Sequence, residues 1–208
     1  MSESKPKDVV SNPGLWTPAN IVTTARVVLV PLWLLVAEML CPEGLAGFSV
    51  NPGMLAVFAF YVILSLTDKL DGYLARSRGE VTTFGKFLDP IADKLVVIVS
   101  LCFLLEHGMT TSWVLLVVVA REFLVSGLRM VVASKGVVVA ASNLGKWKTA
   151  TTMVSISGLL LCMALPHGTP FVWLVIISQL LLLVAVVLTA WSGVDYFLKS
   201  WKYLAEDC

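Results

Sequence analysis

The sequence predicts an all-α integral membrane protein with six transmembrane helices and both termini in the cytosol. The chain of 208 residues is 58% hydrophobic and only 14% charged, and its mean hydropathy is +0.88. A single soluble core does not bury that much apolar surface, so the surrounding solvent is predicted to be lipid. The apolar stretches are also far longer than the roughly 10-residue alternating segments of a membrane β-barrel, which favours helices.

Six stretches are long and apolar enough to cross a bilayer, which takes about 20 residues per helix. They are predicted at 20–40, 53–77, 84–106, 111–134, 149–165 and 170–191. The six-helix domain therefore spans 17–193, after a mobile tail at 1–16 that is rich in Ser, Lys and Pro. The remaining segment, 194–208, mixes aromatic residues with lysines and is predicted to lie at the level of the lipid headgroups.

The positions of the 15 Lys and Arg residues predict the orientation, because basic residues are retained on the cytoplasmic side of short loops. None lies in the connections 41–52, 106–112 and 166–170. Both termini and the two charged loops are therefore predicted to face the cytosol, in a multi-pass protein of the cell (inner or plasma) membrane. The net charge of +1, with most acidic residues close to the basic ones, argues against nucleic-acid binding.

Four aspartates lie on two adjoining helices beside one of the predicted cytosolic loops. Asp68 and Asp71 are three residues apart near the end of the second helix, and Asp89 and Asp93 are four apart near the start of the third. Each pair shares one helical face, and antiparallel neighbours can bring the two faces together. Clustered carboxylates need cations, and an all-oxygen set suits Mg²⁺ or Mn²⁺. Pairing with nearby Lys and Arg explains one or two of them, but not Asp93, well inside its helix.

Three small residues accompany the aspartates. Gly72 and Ala75 follow Asp71 by one and four positions, and Gly85 lies one turn before Asp89. They leave room for a ligand beside the metals, whereas close helix packing is the alternative that membrane helices often use. Next to four spaced carboxylates, the ligand-binding interpretation is favoured.

Together these residues resemble the full signature of the CDP-alcohol phosphatidyltransferase family: Asp68-x-x-Asp71-Gly72-x-x-Ala75-Arg76, eight residues, then Gly85-x-x-x-Asp89-x-x-x-Asp93. The resemblance implies a six-helix, usually homodimeric membrane enzyme that transfers a phosphatidyl group from a CDP-activated lipid, CDP-diacylglycerol, to an alcohol. It implies that the first three aspartates bind two metal ions bridged by the diphosphate. Asp93, included with them in the predicted metal site, is then the catalytic residue that activates the acceptor hydroxyl.

The start of the first helix adds polar residues to the predicted CDP-lipid site. Asn20, Thr23 and Arg26 recur every third residue after a helix start at Thr17. Their common face can meet the nucleotide or the diphosphate, and a helix cap followed by an Arg that sets topology is the alternative. The other predicted members of this site are the signature residues Gly72, Ala75, Arg76 and Gly85.

Basic residues of the fourth helix and of the segment after it form a candidate acceptor site. Arg121 falls near mid-membrane and needs a partner or a polar cavity, and Arg129 lies on nearly the same side. With Lys146 and Lys148 they can bind the phosphate of a phosphorylated acceptor. A structural ion pair between Arg121 and Glu122 is the alternative.

The stretches 121–129 and 145–149 are similar to the branch of the family that forms phosphatidylglycerophosphate. That similarity implies sn-glycerol 3-phosphate as the acceptor and CMP as the second product. Within the family, inositol phosphate and phosphatidylglycerol are alternative acceptors. A divalent-cation transporter is the alternative from another class, but transporter sites usually lie near mid-membrane between interrupted or repeated helices.

The predicted topology can be checked by cysteine-accessibility labelling. Both termini and the segments 76–84 and 135–147 are expected to be accessible from the cytosol, because the basic residues concentrate there. Single cysteines at 45 and 168 are expected to react from the opposite side. Labelling of either position from the cytosolic side alone would contradict the six-span arrangement.

Overall fold

Six α-helices make up the part of the chain that this computed structural model describes, which is residues 17–41, 49–78, 83–135, 143–166 and 168–205. They are α1 (Pro18–Leu40), α2 (Pro52–Arg78), α3 (Thr83–Glu106), α4 (Ser112–Ser134), α5 (Asn143–Ala164) and α6 (Thr169–Ala205). The backbone alone is described at 18, 19, 68–78, 83, 86, 143, 144, 146, 169, 170 and 202–205. The all-helical prediction is confirmed, and the predicted tail at 1–16 lies outside the described residues.

Two helices extend well beyond the apolar stretches that predicted them. α5 begins at Asn143 rather than at 149, and α6 is one helix of 37 residues that continues to Ala205. Hydropathy predicts only the apolar part of a helix, which is the part that lipid can cover. The helix itself continues into polar surroundings as long as its main-chain hydrogen bonds do. The predicted headgroup segment from 194 is therefore continuous with α6 up to Ala205, and its position at the headgroups stays a prediction.

An aromatic cluster joins the first three helices. α1 packs along both α2 and α3. The Trp33 indole N–H donates a hydrogen bond to the Val57 carbonyl of α2 over 3.0 Å. The Trp33 ring also contacts Tyr61 of α2 and Phe103 of α3, with ring centroids 6.0 and 5.7 Å away. All three rings are buried, and buried aromatic side chains contribute strongly to a core.

The second half of the bundle is built around α6, which packs against α4 and α5. α5 approaches α6 closely at Gly158, where an added Cβ would overlap the Ser178 hydroxyl oxygen. Glycine therefore permits the close approach of the two helices at this crossing, as in many closely packed membrane helices. α5 also contacts α2, so the two halves form one bundle.

Long-range hydrogen bonds reveal which helix ends lie together. The Asn51 N–H before α2 donates to the Ala164 carbonyl at the end of α5 over 2.9 Å. The start of α2 therefore lies at the end of the bundle where α5 finishes. The last turns of α2, with Asp68 and Asp71, consequently lie at the other end, together with the start of α5.

Two helices within the described residues meet both the length and the hydropathy needed for a membrane span, over Asn20–Leu40 and Phe171–Trp201. The apolar part of α2, Pro52–Thr67, is shorter, and charged residues interrupt α3 and α4. Large apolar side chains are exposed on the outer faces of several helices, for example Leu35, Ile63 and Leu183. An exposed apolar surface of this kind marks contact with lipid or another protein. These features fit a membrane protein, and the six spans with cytosolic termini stay a prediction.

Candidate functional site

The start of α1 places its polar face directly against the aspartates of α3. The Thr23 hydroxyl donates to Asp89 Oδ1 over 2.7 Å, and Arg26 Nη1 donates to Asp93 Oδ1 over 2.9 Å. Thr23 and Arg26 are three residues apart and the two aspartates four apart, so the contacts follow one face of each helix. The structure therefore brings two residues predicted for the CDP-lipid site onto two residues predicted for the metal site.

Local sequence explains where α1 begins. The Thr17 hydroxyl oxygen accepts from the Asn20 N–H over 3.3 Å, and Pro18 occupies the first helical position. This cap begins the helix at a defined residue, so the first turn carries Asn20 and the next turns carry Thr23 and Arg26. Packing against neighbouring helices buries Asn20, Thr23 and Arg26, and Arg26 is only 2% exposed.

The two aspartates of α3 are accessible from outside the bundle. Asp89 is exposed. The Asp93 side chain is 45% exposed, although it pairs with the buried Arg26. Carboxylates that accept a hydrogen bond on one oxygen and reach solvent are suitable ligands for a hard divalent cation. The donor chemistry of these two residues therefore fits Mg²⁺ or Mn²⁺.

The other half of the predicted metal site is described only as backbone. α2 runs without interruption through Asp68 and Asp71, which keeps their three-residue spacing on one face. Among the side chains that the structure describes, no three His, Cys, Asp or Glu residues gather into a metal-binding group. The four-aspartate site thus stays a prediction, as do the roles of the neighbouring signature residues Gly72, Ala75, Arg76 and Gly85.

Glu122 is the centre of a second polar cluster, formed by α4 and α5. Its Oε1 accepts from Arg121 Nη1 over 3.2 Å and also from the Lys148 ammonium. The Arg121, Glu122 and Lys148 side chains are 15%, 15% and 11% exposed, respectively. Two residues of the predicted acceptor site are therefore brought together, and the alternative Arg121 to Glu122 ion pair is present as well.

The other predicted acceptor residues are not part of this cluster as described. Arg129 is exposed two turns further along α4, and none of the hydrogen bonds or ion pairs found among the described residues involves it. Lys146 lies on the first turn of α5, where only the backbone is described. Their contribution to acceptor binding stays a prediction.

Lys94 of α3 belongs to the same region, and our sequence analysis missed it. Its ammonium donates to the Ser126 hydroxyl, which in turn donates to the main-chain carbonyl of Glu122 over 2.7 Å. Ser126 lies one turn after Glu122 on α4. The available signal was the position of Lys94 directly after Asp93 on a helix that otherwise becomes apolar.

α6 also contributes two small residues that the sequence analysis missed. The Ser192 hydroxyl accepts from Arg121 Nε over 3.2 Å. At Gly193 an added Cβ would lie 3.1 Å from Arg121 Cγ, so the glycine makes room for the Arg121 side chain. A Ser-Gly pair inside a long apolar helix is typical of close helix contacts and was the available signal.

Comparison with known proteins identifies the family. Residues 16–191 match the family model described as CDP-alcohol phosphatidyltransferase. The match covers most of the chain and includes α1 to α5 and much of α6. The protein belongs to the CDP-alcohol phosphatidyltransferase family, as the aspartate signature predicted.

Several similar proteins carry the name CDP-diacylglycerol–glycerol-3-phosphate 3-phosphatidyltransferase. The protein from Bacillus subtilis (strain 168) is 41% identical over 191 residues, which cover 89% of this chain and 95% of its own. The Rickettsia bellii (strain RML369-C) protein is 38% identical over 184 residues, which cover 88% of this chain and 95% of that protein. The Pseudomonas fluorescens protein is 34% identical over 192 residues, which cover 90% of this chain and 92% of that protein.

The Arg26 to Asp93 ion pair is expected to stabilise the fold. In chelator-treated protein, Arg26→Met should lower the free energy of unfolding by about 1–3 kcal/mol, because a buried guanidinium contact with a carboxylate is lost. The matched control is Lys199→Met, which breaks the more exposed 2.8 Å pair with Asp195 and should cost roughly 0–1 kcal/mol. Denaturant unfolding in detergent measures both. An equal decrease in the free energy of unfolding for the two variants would contradict a structural role for Arg26.

Proposed function

We propose that this protein transfers the phosphatidyl group of CDP-diacylglycerol to sn-glycerol 3-phosphate and forms phosphatidylglycerophosphate and CMP, a step of phospholipid biosynthesis. The observation that carries the proposal is the juxtaposition along α3 of the signature aspartates with basic residues. Asp93 pairs with Arg26, and the next residue, Lys94, reaches the Ser126 hydroxyl beside Glu122. The names of the similar proteins support the same donor and acceptor.

The proposed reaction is a single displacement at phosphorus. The acceptor hydroxyl oxygen forms a bond to the phosphorus of the phosphatidyl group, and the bond from that phosphorus to the CMP oxygen breaks. Asp93 accepts the hydroxyl proton, and CMP leaves with the bonding electron pair. Arg26 holds the Asp93 carboxylate in one orientation through its 2.9 Å contact, so the base is positioned before the acceptor arrives.

The proposed metal ligands are Asp68, Asp71 and Asp89, with Asp93 beside them. Asp89 is held by the Thr23 hydroxyl, which restricts its rotation and leaves the carboxylate facing outward. Two bound Mg²⁺ or Mn²⁺ ions would supply charge stabilisation for the attacking and leaving oxygens. Asn20, Arg76 and the small residues Gly72, Ala75 and Gly85 complete the proposed binding site for the CDP-lipid.

The proposed acceptor site uses cations for a dianionic phosphate. Arg121 and Lys148 share Glu122 as partner and lie in a mostly covered environment, where a charge-assisted contact is stronger than in water. Arg129 and Lys146 are proposed as further contributors from the same helices. A phosphorylated acceptor fits this set better than an uncharged alcohol does.

The enzyme is proposed to be a homodimer in the cell (inner or plasma) membrane, with six spans and its active site toward the cytosol. The exposed apolar faces of the helices support the membrane location. A cytosolic site also suits the substrates, because glycerol 3-phosphate is water-soluble while the donor is a lipid. The basic residues near the site support this orientation.

The acceptor can be identified by parallel assays. Purified protein with CDP-diacylglycerol and Mg²⁺ is expected to release CMP with glycerol 3-phosphate, because the basic cluster suits a phosphate monoester. Serine and phosphatidylglycerol, which carry no phosphate monoester, should give much lower turnover under the same conditions. Inositol phosphate does carry one, so its lower expected turnover rests on the names of the similar proteins. Preferential CMP release with any of these three would assign a different acceptor within the family.

Activity is expected to depend on a divalent cation. Excess chelator should abolish CMP release and added Mg²⁺ or Mn²⁺ should restore it, because four aspartates without His or Cys suit hard cations. Asp71→Ala and Asp89→Ala should each lower kcat by more than about a hundredfold. Asp195→Asn, at a partly exposed carboxylate of α6 outside the proposed site, serves as the control and should retain activity. Full turnover after exhaustive chelation would contradict a metal site.

A further inference from the structure

Lys94 lies between the two polar clusters. It follows Asp93 on α3, and its ammonium donates to Ser126 of α4. Because the Ser126 proton is committed to the Glu122 carbonyl, the Ser126 oxygen acts as acceptor for Lys94. This relay fixes the ammonium on the Glu122 side of α4. Its charge acts on both Glu122 and Lys148.

Among the side chains that the structure describes in this cluster, the charges do not balance. Lys94, Arg121 and Lys148 come from three different helices. Arg121 and Lys148 contact the Glu122 carboxylate, and Lys94 is connected through Ser126 to the main-chain carbonyl of Glu122. Three cations against one anion leave two positive charges in surroundings that are mostly covered. Unbalanced charge in such a place is costly unless a ligand of opposite charge binds. A phosphate monoester carries about two negative charges at neutral pH, which would neutralise the excess.

Hydrogen-bonding capacity agrees with the charge. The described contacts use one N–H of Lys94, one of Lys148 and two of Arg121, so each cation keeps further N–H groups for a ligand. Glu122 and Ser192 hold Arg121 from two sides, which orients its guanidinium in advance. A ligand with several acceptor oxygens suits such a convergent set.

We infer that Lys94 binds the phosphate of the acceptor together with Arg121 and Lys148, and that Glu122 is the positioning residue that holds the latter two. This inference rests on the proposed function. Since Lys94 is adjacent in sequence to Asp93, the phosphate is held near the residue that accepts the hydroxyl proton. Lys94 thereby couples recognition of the acceptor to its activation.

Steady-state kinetics on Lys94→Met tests the inference, with each substrate varied while the other is saturating. The KM for glycerol 3-phosphate is expected to rise about ten- to a hundredfold, because one charge-assisted contact to phosphate is lost. The KM for CDP-diacylglycerol should change less than about twofold. Lys94→Arg keeps the charge and should recover most of the acceptor affinity, and Lys199→Met is the control lysine.

Two milder changes keep the test informative if Lys94→Met folds poorly. Ser126→Ala removes only the hydroxyl that orients Lys94 and should raise the acceptor KM about two- to tenfold. Glu122→Ala should raise it at least about tenfold, whereas Glu122→Gln retains an acceptor oxygen and should stay within about fivefold of the unmodified enzyme. A merely structural role for Glu122 predicts lower yield from both, with the acceptor KM unchanged.

The outcomes separate this inference from the proposed function. If the unmodified enzyme releases CMP with glycerol 3-phosphate but Lys94→Met raises only the CDP-diacylglycerol KM, Lys94 belongs to the donor site and the inference is wrong. If Lys94→Met lowers only kcat or yield, Lys94 does not bind the phosphate. If the unmodified enzyme releases no CMP with glycerol 3-phosphate, the proposed acceptor itself is wrong.

Discussion

The Arg26 guanidinium is buried in the bundle and bonds to the Asp93 carboxylate on α3. A charged group in apolar surroundings is costly without a partner, so this contact restricts how α1 and α3 can rotate about their axes. Thr23 and Asp89 repeat the contact one turn away. Together the two bonds hold both α3 aspartates in defined positions, and the proposed chemistry depends on those positions.

The same constraint shapes the other side of α3. Arg121 and Lys148 are largely covered, and Glu122 provides one carboxylate for both. Ser192 and Gly193 show that α6 is adapted to the Arg121 side chain, by hydrogen bonding and by leaving space. The charged side chains thus need a partner or space on another helix, and these contacts join α4, α5 and α6.

α3 is the element common to both polar regions. Asp93 faces α1, while Lys94, the next residue, reaches α4. Successive residues on a helix point in clearly different directions, so one helix can contact two neighbouring helices at the same level along its axis. In the proposed function this arrangement places Asp93 on the side of α3 that faces α1 and the acceptor phosphate, held by Lys94, on the side that faces α4. The apolar packing around Trp33 and Gly158 lies deeper in the bundle and keeps the helices at these spacings.

The sequence by itself determined the helical class, the six helices of the described residues and the family, because apolar run length and residue spacing along a helix are local properties. It also identified Asp89 and Asp93 as one face and Asn20, Thr23 and Arg26 as another. Only the tertiary structure decided that these two faces meet. It also decided that Lys94 accompanies Arg121 and Lys148, while Arg129, predicted by its spacing, lies exposed. The physical reason is that contacts between helices distant in sequence depend on axial rotation and packing, which no local pattern specifies.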